Sequence, residues 1–268
     1  MTMGPIDVNS WIGGYPFRDL PHPTPDILAG VLDREGYGGA WVGHLPGAFH
    51  RDPVPSNREL YRALAPYRER LWPSPMVRPD WPDWEGQLRT AVDEGAPSVR
   101  VYPAQWGLGH AALYELSHAC REASIALHIT VRFEDLRQRH AMDSVGDVSA
   151  ALLRGVARQG GAGVMLVSGA GRELIEETHW GLTPDEQSRV FYDFHWVWGP
   201  PEDQFSHLVR TLGPQRLAWS MWWPLRLVQQ SRALVDLLEF EDVQRVSSEP
   251  LADGAMIAAR AQQLLGTA

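Results

Sequence analysis

Guanidinium, carboxylate and imidazole groups crowd one run of the chain, Val131-Arg132-Phe133-Glu134-Asp135-Leu136-Arg137-Gln138-Arg139-His140. Two chemistries fit it. Arg132 can grip a substrate carboxylate as a bidentate fork while Glu134, Asp135 or His140 moves protons. Alternatively the arginines pair with the neighbouring acids and the run is a salt-bridged loop. His50-Arg51-Asp52 offers an imidazole beside a carboxylate, either a general base with its orienter or a polar turn before Pro53. Asp193 and His195 are two apart, so an extended strand presents both on one face. They suit a base with its orienter, two metal ligands, or a hydrogen-bonded interior. Zinc accepts imidazole and carboxylate, so a scattered site of His44, His128, Asp193 and His195 stays open. Arg78 and Arg100 need an anion or an acid between them if both face one cavity, and Asp7 is available as an internal partner. Tyr102 can cap such a cavity or simply pack. No GxSxG elbow and no HExxH helix is present.

Composition narrows the chemistry further. All 24 basic residues are arginine; there is no lysine. A lysine Schiff base and a GxxxxGK[ST] phosphate loop are therefore excluded, and anion binding must run through guanidinium. The single cysteine, Cys120, permits neither an internal disulfide nor a CxxC site, and reads as a small packed side chain. A formal charge of −9 argues against nucleic acid or an anionic membrane as partner. No charged leader with an apolar stretch and no run of about 18 apolar residues is visible, so a cytoplasmic location is expected. Five of the 12 tryptophans, Trp196, Trp198, Trp219, Trp222 and Trp223, lie close together. They form a platform for a planar ligand, or, with Trp11, fill interior volume.

These groups must be positioned by elements that alternate. Strands are expected over Ile6–Gly13, Ala40–Leu45, Ser74–Arg78, Ser98–Pro103, Ala126–Phe133, Gly163–Ser168, Val190–Trp198 and Arg216–Trp222. Helices are expected over Asp26–Arg34, Asn57–Arg70 with Ser56 as cap, Trp84–Glu94, Ala111–Ala123, Gly146–Gln159, Arg172–Glu177, Glu202–Leu212 and Leu227–Phe240. Gly36, Gly95, Gly160 and Gly213 stand where the helices should stop. Eight strand–helix units of about 33 residues are the arithmetic of a (β/α)8 TIM barrel, an α/β fold. The first turn, Gly13-Gly14-Tyr15-Pro16-Phe17-Arg18, is not the GxGxxG of a dinucleotide fold. One domain over residues 1–268 is expected, with an extra C-terminal helix at Ala255–Leu265. Barrel chemistry gathers at the C-terminal ends of strands, which selects Asn9, Trp11, His44, His50, Arg78, Arg100, Tyr102, His128, Arg132, Asp193 and His195.

Ile6-Asp7-Val8-Asn9-Ser10-Trp11-Ile12-Gly13 resembles the opening strand of the amidohydrolase superfamily, in its amidohydrolase-related branch, which reads apolar-Asp-x-His-x-His-x-Gly. Val99–Pro103, Gln215–Leu225 and Ile257–Gly266 resemble its fourth strand, eighth strand and closing helix. The resemblance implies the barrel fold and hydrolysis of a C–N or C–O bond in a small, often carboxylated molecule, or a decarboxylation. It also implies one or two divalent ions, and here the chain departs. Asn9 and Trp11 replace the paired histidines, Val167-Ser168-Gly169 falls at the sixth strand, and Met221 or Trp222 stands for the eighth-strand aspartate. Only His128 matches a ligand position, and one histidine cannot hold the ion. Asp7-Val8-Asn9, Pro16-Phe17-Arg18 and the Val131–His140 run are similar to a narrower, metal-poor group within the branch. The expectation is a hydrolase of a small carboxylated substrate with neither metal nor cofactor. Its acid/base groups would come from Asp193, Glu134, Asp135, His140 and His50, and its binding groups from Asn9, Arg78, Arg100, Tyr102, His128, Arg132 and His195. The alternative is a non-catalytic barrel that binds a small ligand or a protein. A homo-oligomer is compatible with either.

Overall fold

The computed structural model describes residues 4–20, 23–135, 137–197, 204–240 and 250–265. Among these residues short, mostly apolar runs form eight strands: β1 (Ile6–Ile12), β2 (Gly39–His44), β3 (Leu71–Pro73), β4 (Ser98–Val101), β5 (Ala126–Thr130), β6 (Met165–Ser168), β7 (Val190–Asp193) and β8 (Leu217–Ala218). The helices are α1 (Pro25–Glu35), α2 (Val54–Leu64), α3 (Trp84–Asp93), α4 (Pro103–Trp106), α5 (His110–Glu122), α6 (Ala150–Ala157), α7 (Arg172–Trp180), α8 (Pro184–Gln187), α9 (Phe205–Leu212), α10 (Gln230–Phe240) and α11 (Gly254–Leu265). Every residue of β2 and of β4 to β7 is buried, as expected of parallel strands covered on both faces.

All strand pairs are parallel. They form one sheet in the order β1-β2-β3 and another in the order β4-β5-β6-β7-β8. Backbone hydrogen bonds cross both gaps between the sheets. Arg100 N–H donates to the Pro75 carbonyl (2.7 Å) and Val77 N–H to that of Arg100 (2.9 Å). On the other side Val8 N–H donates to Trp219 O (3.0 Å) and Trp11 N–H to Trp223 O (2.9 Å). The α11 residues Ile257 and Ala261 share a buried cluster with Val8, Ala126 and Leu166, which sets the C-terminal helix against the strands. Cys120 is a buried free thiol on α5, as its surroundings in the sequence suggested.

Several boundaries differ from expectation for local reasons. The third strand is Leu71–Pro73, not Ser74–Arg78. Prolines 73 and 75 lack the N–H that a longer ladder needs, and beyond them only an isolated bridge joins Met76 to Arg100. Helix α2 starts at Val54 rather than Asn57, because Asp52 Oδ1 accepts the Val54 N–H (3.0 Å) and Ser56 lies buried in the first turn. Helix α6 starts at Ala150, where Ser149 caps it by accepting the Leu152 N–H (3.3 Å), so the expected start at Gly146 is too early. The left-handed residue after α6 is Gly161, not Gly160. Strand β8 is only two residues long, because the chain soon leaves extended geometry, with Trp222 at φ 54°. The expected end of the seventh strand at Trp198 and the start of the helix Glu202–Leu212 lie outside the described residues. Among the described residues no helix is long and apolar enough to cross a membrane.

Candidate functional site

The first strand carries Asp7, Asn9 and Trp11 at alternate positions, and all three are buried. Asp7 sits deepest in its bonding. Its Oδ1 accepts N–H groups from Met221 (2.7 Å) and Asn9 (3.2 Å), and its Oδ2 accepts the Ser10 hydroxyl (2.6 Å). Burial nevertheless outweighs these donors and lifts its carboxyl to about 6.

Asn9 joins the two charges above it. Its Nδ2 donates to Asp193 Oδ2 (3.1 Å), and its Oδ1 accepts from Arg100 Nη1. The network therefore fixes which end of the amide is oxygen. Arg100 also donates from Nε to Ser74 Oγ (3.0 Å) and from Nη2 to the carbonyls of Val8 (3.2 Å) and Trp41 (3.1 Å). Its guanidinium carbon lies 4.3 Å from the centre of the Trp11 ring. Burial lowers Arg100 to about 9, with Asp7 and Asp193 acting against the shift. Gly43 leaves the room this stack needs, since a Cβ there would meet the Trp11 ring at 2.6 Å.

Asp193 ends β7. Its Oδ2 accepts from Trp222 Nε1 (2.7 Å), Asn9 Nδ2 and Ser220 Oγ (3.3 Å), and its Oδ1 from the Gly169 N–H (3.3 Å). Burial raises its affinity for a proton, against the pull of those donors. Gly169, at φ 83°, brings its N–H to this carboxylate where a Cβ would strike the Arg132 carbonyl at 2.7 Å. His128 Nε2 meets Ser168 Oγ (2.6 Å), and burial beside Arg100 keeps its ring neutral.

A layer of rings covers these groups. Phe133 is wholly buried, with Trp11 (5.1 Å), Tyr102 (5.0 Å), Phe49 (5.2 Å), Trp222 (6.1 Å) and Tyr15 (6.4 Å) around it, mostly edge to face.

The expected site residues thus separate into two sets. Asn9, Arg100 and Asp193 share one bonded network, with His128 beside it and Tyr102 in the ring layer. His195 turns away from Asp193, its Nδ1 meeting Ser220 O (3.2 Å) and Ser231 Oγ (3.3 Å), so the two are not a base and its orienter. Arg78 does not share a cavity with Arg100. It lies in a loop, gripping Asp80 through Nε (2.7 Å) and Nη2 (2.9 Å) and stacking on Trp81. His50 is exposed and meets Ser56 Oγ (3.2 Å), not Asp52. The strand-five run does not converge. Glu134 pairs with Arg18 (2.8 Å), Asp135 with Arg137 (2.8 Å), and Arg132 with Asp147 (2.9 Å), while His140 stacks on Phe17. Arg18, Asp147, Ser74 and Phe133 were not singled out from the sequence as site residues. Ser74 carried no signal beyond its place in an expected strand, and Asp147 lies in a polar stretch without a motif.

A divalent ion does not fit this interior. Trp11 offers only an N–H, Asn9 Oδ1 is taken by Arg100, and a guanidinium lies where the ion's charge would be felt. At about 4 Å and an effective dielectric of about 20, a doubly charged ion would be repelled by it with about 8 kcal/mol. His44, with its Nε2 3.7 Å from Glu59, does not join His128, Asp193 and His195, and no group of three or more His, Cys, Asp or Glu is arranged to hold an ion among the described residues.

No protein-family model and no curated protein matches the chain. Solved structures do. A 2,6-dihydroxybenzoate decarboxylase from Rhizobium is 12% identical, with 99% of each chain covered and a TM-score of 0.63. A dihydroxybenzoic acid decarboxylase from Polaromonas sp. JS666, solved with manganese and the inhibitor 2-nitroresorcinol, is 13% identical over 98% of this chain and 97% of that one, at 0.63. A protein described as an amidohydrolase II is 15% identical over 98% and 100%, also at 0.63. The chain shares the fold of these proteins, an amidohydrolase II among them, over nearly its whole length, as its first strand suggested.

Proposed function

Starting from that shared fold, we propose that the chain is an amidohydrolase-related enzyme, a single closed (β/α)8 domain that hydrolyses or decarboxylates a small carboxylated molecule without a metal ion. The observation that carries the reading is Asp193. It stands at the end of a strand, its carboxyl is fully buried with a raised proton affinity, and neutral donors hold it in place. A carboxyl of that kind holds its proton to higher pH than an exposed one and can deliver it to a substrate carbon or leaving group. His128, held neutral beside Ser168, would serve as a hydrogen-bond partner for the substrate, since burial beside Arg100 disfavours its charged form. Arg132, over the face of Trp196 at 5.8 Å and paired with Asp147 at 2.9 Å, would bind the substrate carboxylate by exchanging that partner for it.

The ring layer favours a second reading. Trp11, Tyr102, Phe133 and Trp222 show no exposed surface, so Asp193 and His128 are sealed unless the rings move. A barrel that binds a ligand without converting it would look the same.

Purified protein treated with a chelator should be offered 2,6-dihydroxybenzoate, with loss of absorbance and release of carbon dioxide followed. A panel of small carboxylated lactones and amides should run beside it. Conversion of any member at an unchanged rate after chelation is the expected result. Conversion only after manganese is added would overturn the metal-free reading. Saturable binding of 2-nitroresorcinol with no conversion of any compound would establish the second.

A further inference from the structure

Arg100 is wholly buried, yet no carboxylate touches it among its hydrogen bonds. Its four bonded acceptors are the neutral oxygens of Asn9, Ser74, Val8 and Trp41, and its flat face rests on Trp11. The two wholly buried carboxylates, Asp7 and Asp193, are hydrogen-bonded not to it but to Asn9. The side-chain amide of Asn9 donates to Asp193, and its backbone N–H donates to Asp7. One residue therefore mediates between one positive and two negative groups. The seat is also shaped for this occupant, because a Cβ on Gly43 would lie 3.1 Å from Arg100 Nε as well as against Trp11. Two converging carbonyls, an amide oxygen, a hydroxyl and an indole face match a planar guanidinium better than a spherical ion.

We propose that Arg100 is the built-in cation of this fold: its guanidinium fills, between Asn9 and Trp11, the electrostatic part that a bound ion would otherwise play, and with the side chain cut back the seat becomes a receptor for a free alkylguanidinium. The inference deepens the metal-free reading and rests on it, but its test needs no turnover.

Thermal unfolding of Arg100→Ala is to be compared with that of the wild type in ethylguanidinium, ethylammonium and manganese chloride. The expected result is a saturable rise in Tm of Arg100→Ala with ethylguanidinium at millimolar concentration, little response to the other two, and none in the wild type. Arg100→Lys, which keeps charge without the fork, should melt below the wild type. If Arg100→Ala does not fold alone, its refolding yield with ethylguanidinium against ethylammonium gives the same comparison. Equal effects of the two cations, or recovery by manganese, would overturn the inference. So would a tightly held stoichiometric divalent ion in the wild type by elemental analysis. A panel without any converted substrate would sink the enzymatic reading and leave this one standing.

Discussion

Truncation of Phe133 to alanine is expected to cost about 3–5 kcal/mol of folding free energy, the upper range for loss of a buried ring. The size follows from how little its neighbours can collapse. Trp222 is held by its hydrogen bond to Asp193, and Trp11 lies under the Arg100 guanidinium, so neither can swing into the hole. Tyr102, edge to face at 5.0 Å, and Phe49, tilted at 5.2 Å, would lose their ring contacts with Phe133 as well. Urea unfolding measures the cost directly. The same variant should admit small molecules to Asp193, seen as tighter binding of 2-nitroresorcinol. A loss below about 1 kcal/mol would show that the ring layer repacks.

Acidification should destabilise the protein by about 3 kcal/mol between pH 7.5 and pH 4.5. An unfolded histidine takes a proton near pH 6.5. Burial holds His195 down to about 3 and His179 to about 4, and pushes His128 down as well. Below pH 6.5 the unfolded chain therefore binds protons that the folded chain refuses, and stability present at neutral pH is lost as pH falls. Asp7 works in the opposite sense. Its carboxyl is lifted to about 6, so the folded chain gains as pH falls through that value toward the unfolded one. At about 1.4 kcal/mol per pH unit, His195 and His179 together cost about 5 kcal/mol at pH 4.5 and Asp7 returns about 2. His128 adds to the cost, and Asp193, whose carboxyl burial also raises, adds to the return. Urea midpoints at the two pH values test the balance, and His195→Gln should remove about half of the part that His195 and His179 contribute together. Equal midpoints would refute it.

The interior network was legible because strand geometry makes it so. The rule that chemistry lies at strand ends selected Asn9, Trp11, Arg100, His128 and Asp193, and Asp7 was available as an internal partner; the register shift between Asp7 and Ser10 was not visible in the sequence. The loops were not legible, since charge density says nothing about direction. Glu134 and Asp135 are adjacent, yet one reaches back to Arg18 near the first strand and the other closes on Arg137 two residues away. His50 and Asp52 are both polar turn residues, but Asp52 is occupied in starting α2. The third strand was displaced because Pro73 and Pro75 bracket the turn from ladder to loop, and an apolar-looking stretch beyond them pairs through Met76 alone. The sequence leaves Trp222 between a ligand platform and a filler of interior volume; in the structure its indole N–H donates to Asp193 at 2.7 Å, closer than the bonds from Asn9, Ser220 and Gly169.

The backbone of Trp222 sits in the left-handed region at φ 54°, a conformation that costs a bulky residue of order 1–3 kcal/mol unless its surroundings hold it. What holds it is the indole bond to Asp193, and the same short segment supplies the Trp219 and Trp223 carbonyls on which the first strand closes. Junction and carboxylate thus stand or fall together. In deuterated solvent the amides of Val8 and Trp11 should trade their protons sooner than those in the middle of β5, and an uncharged residue at position 193 should widen that gap.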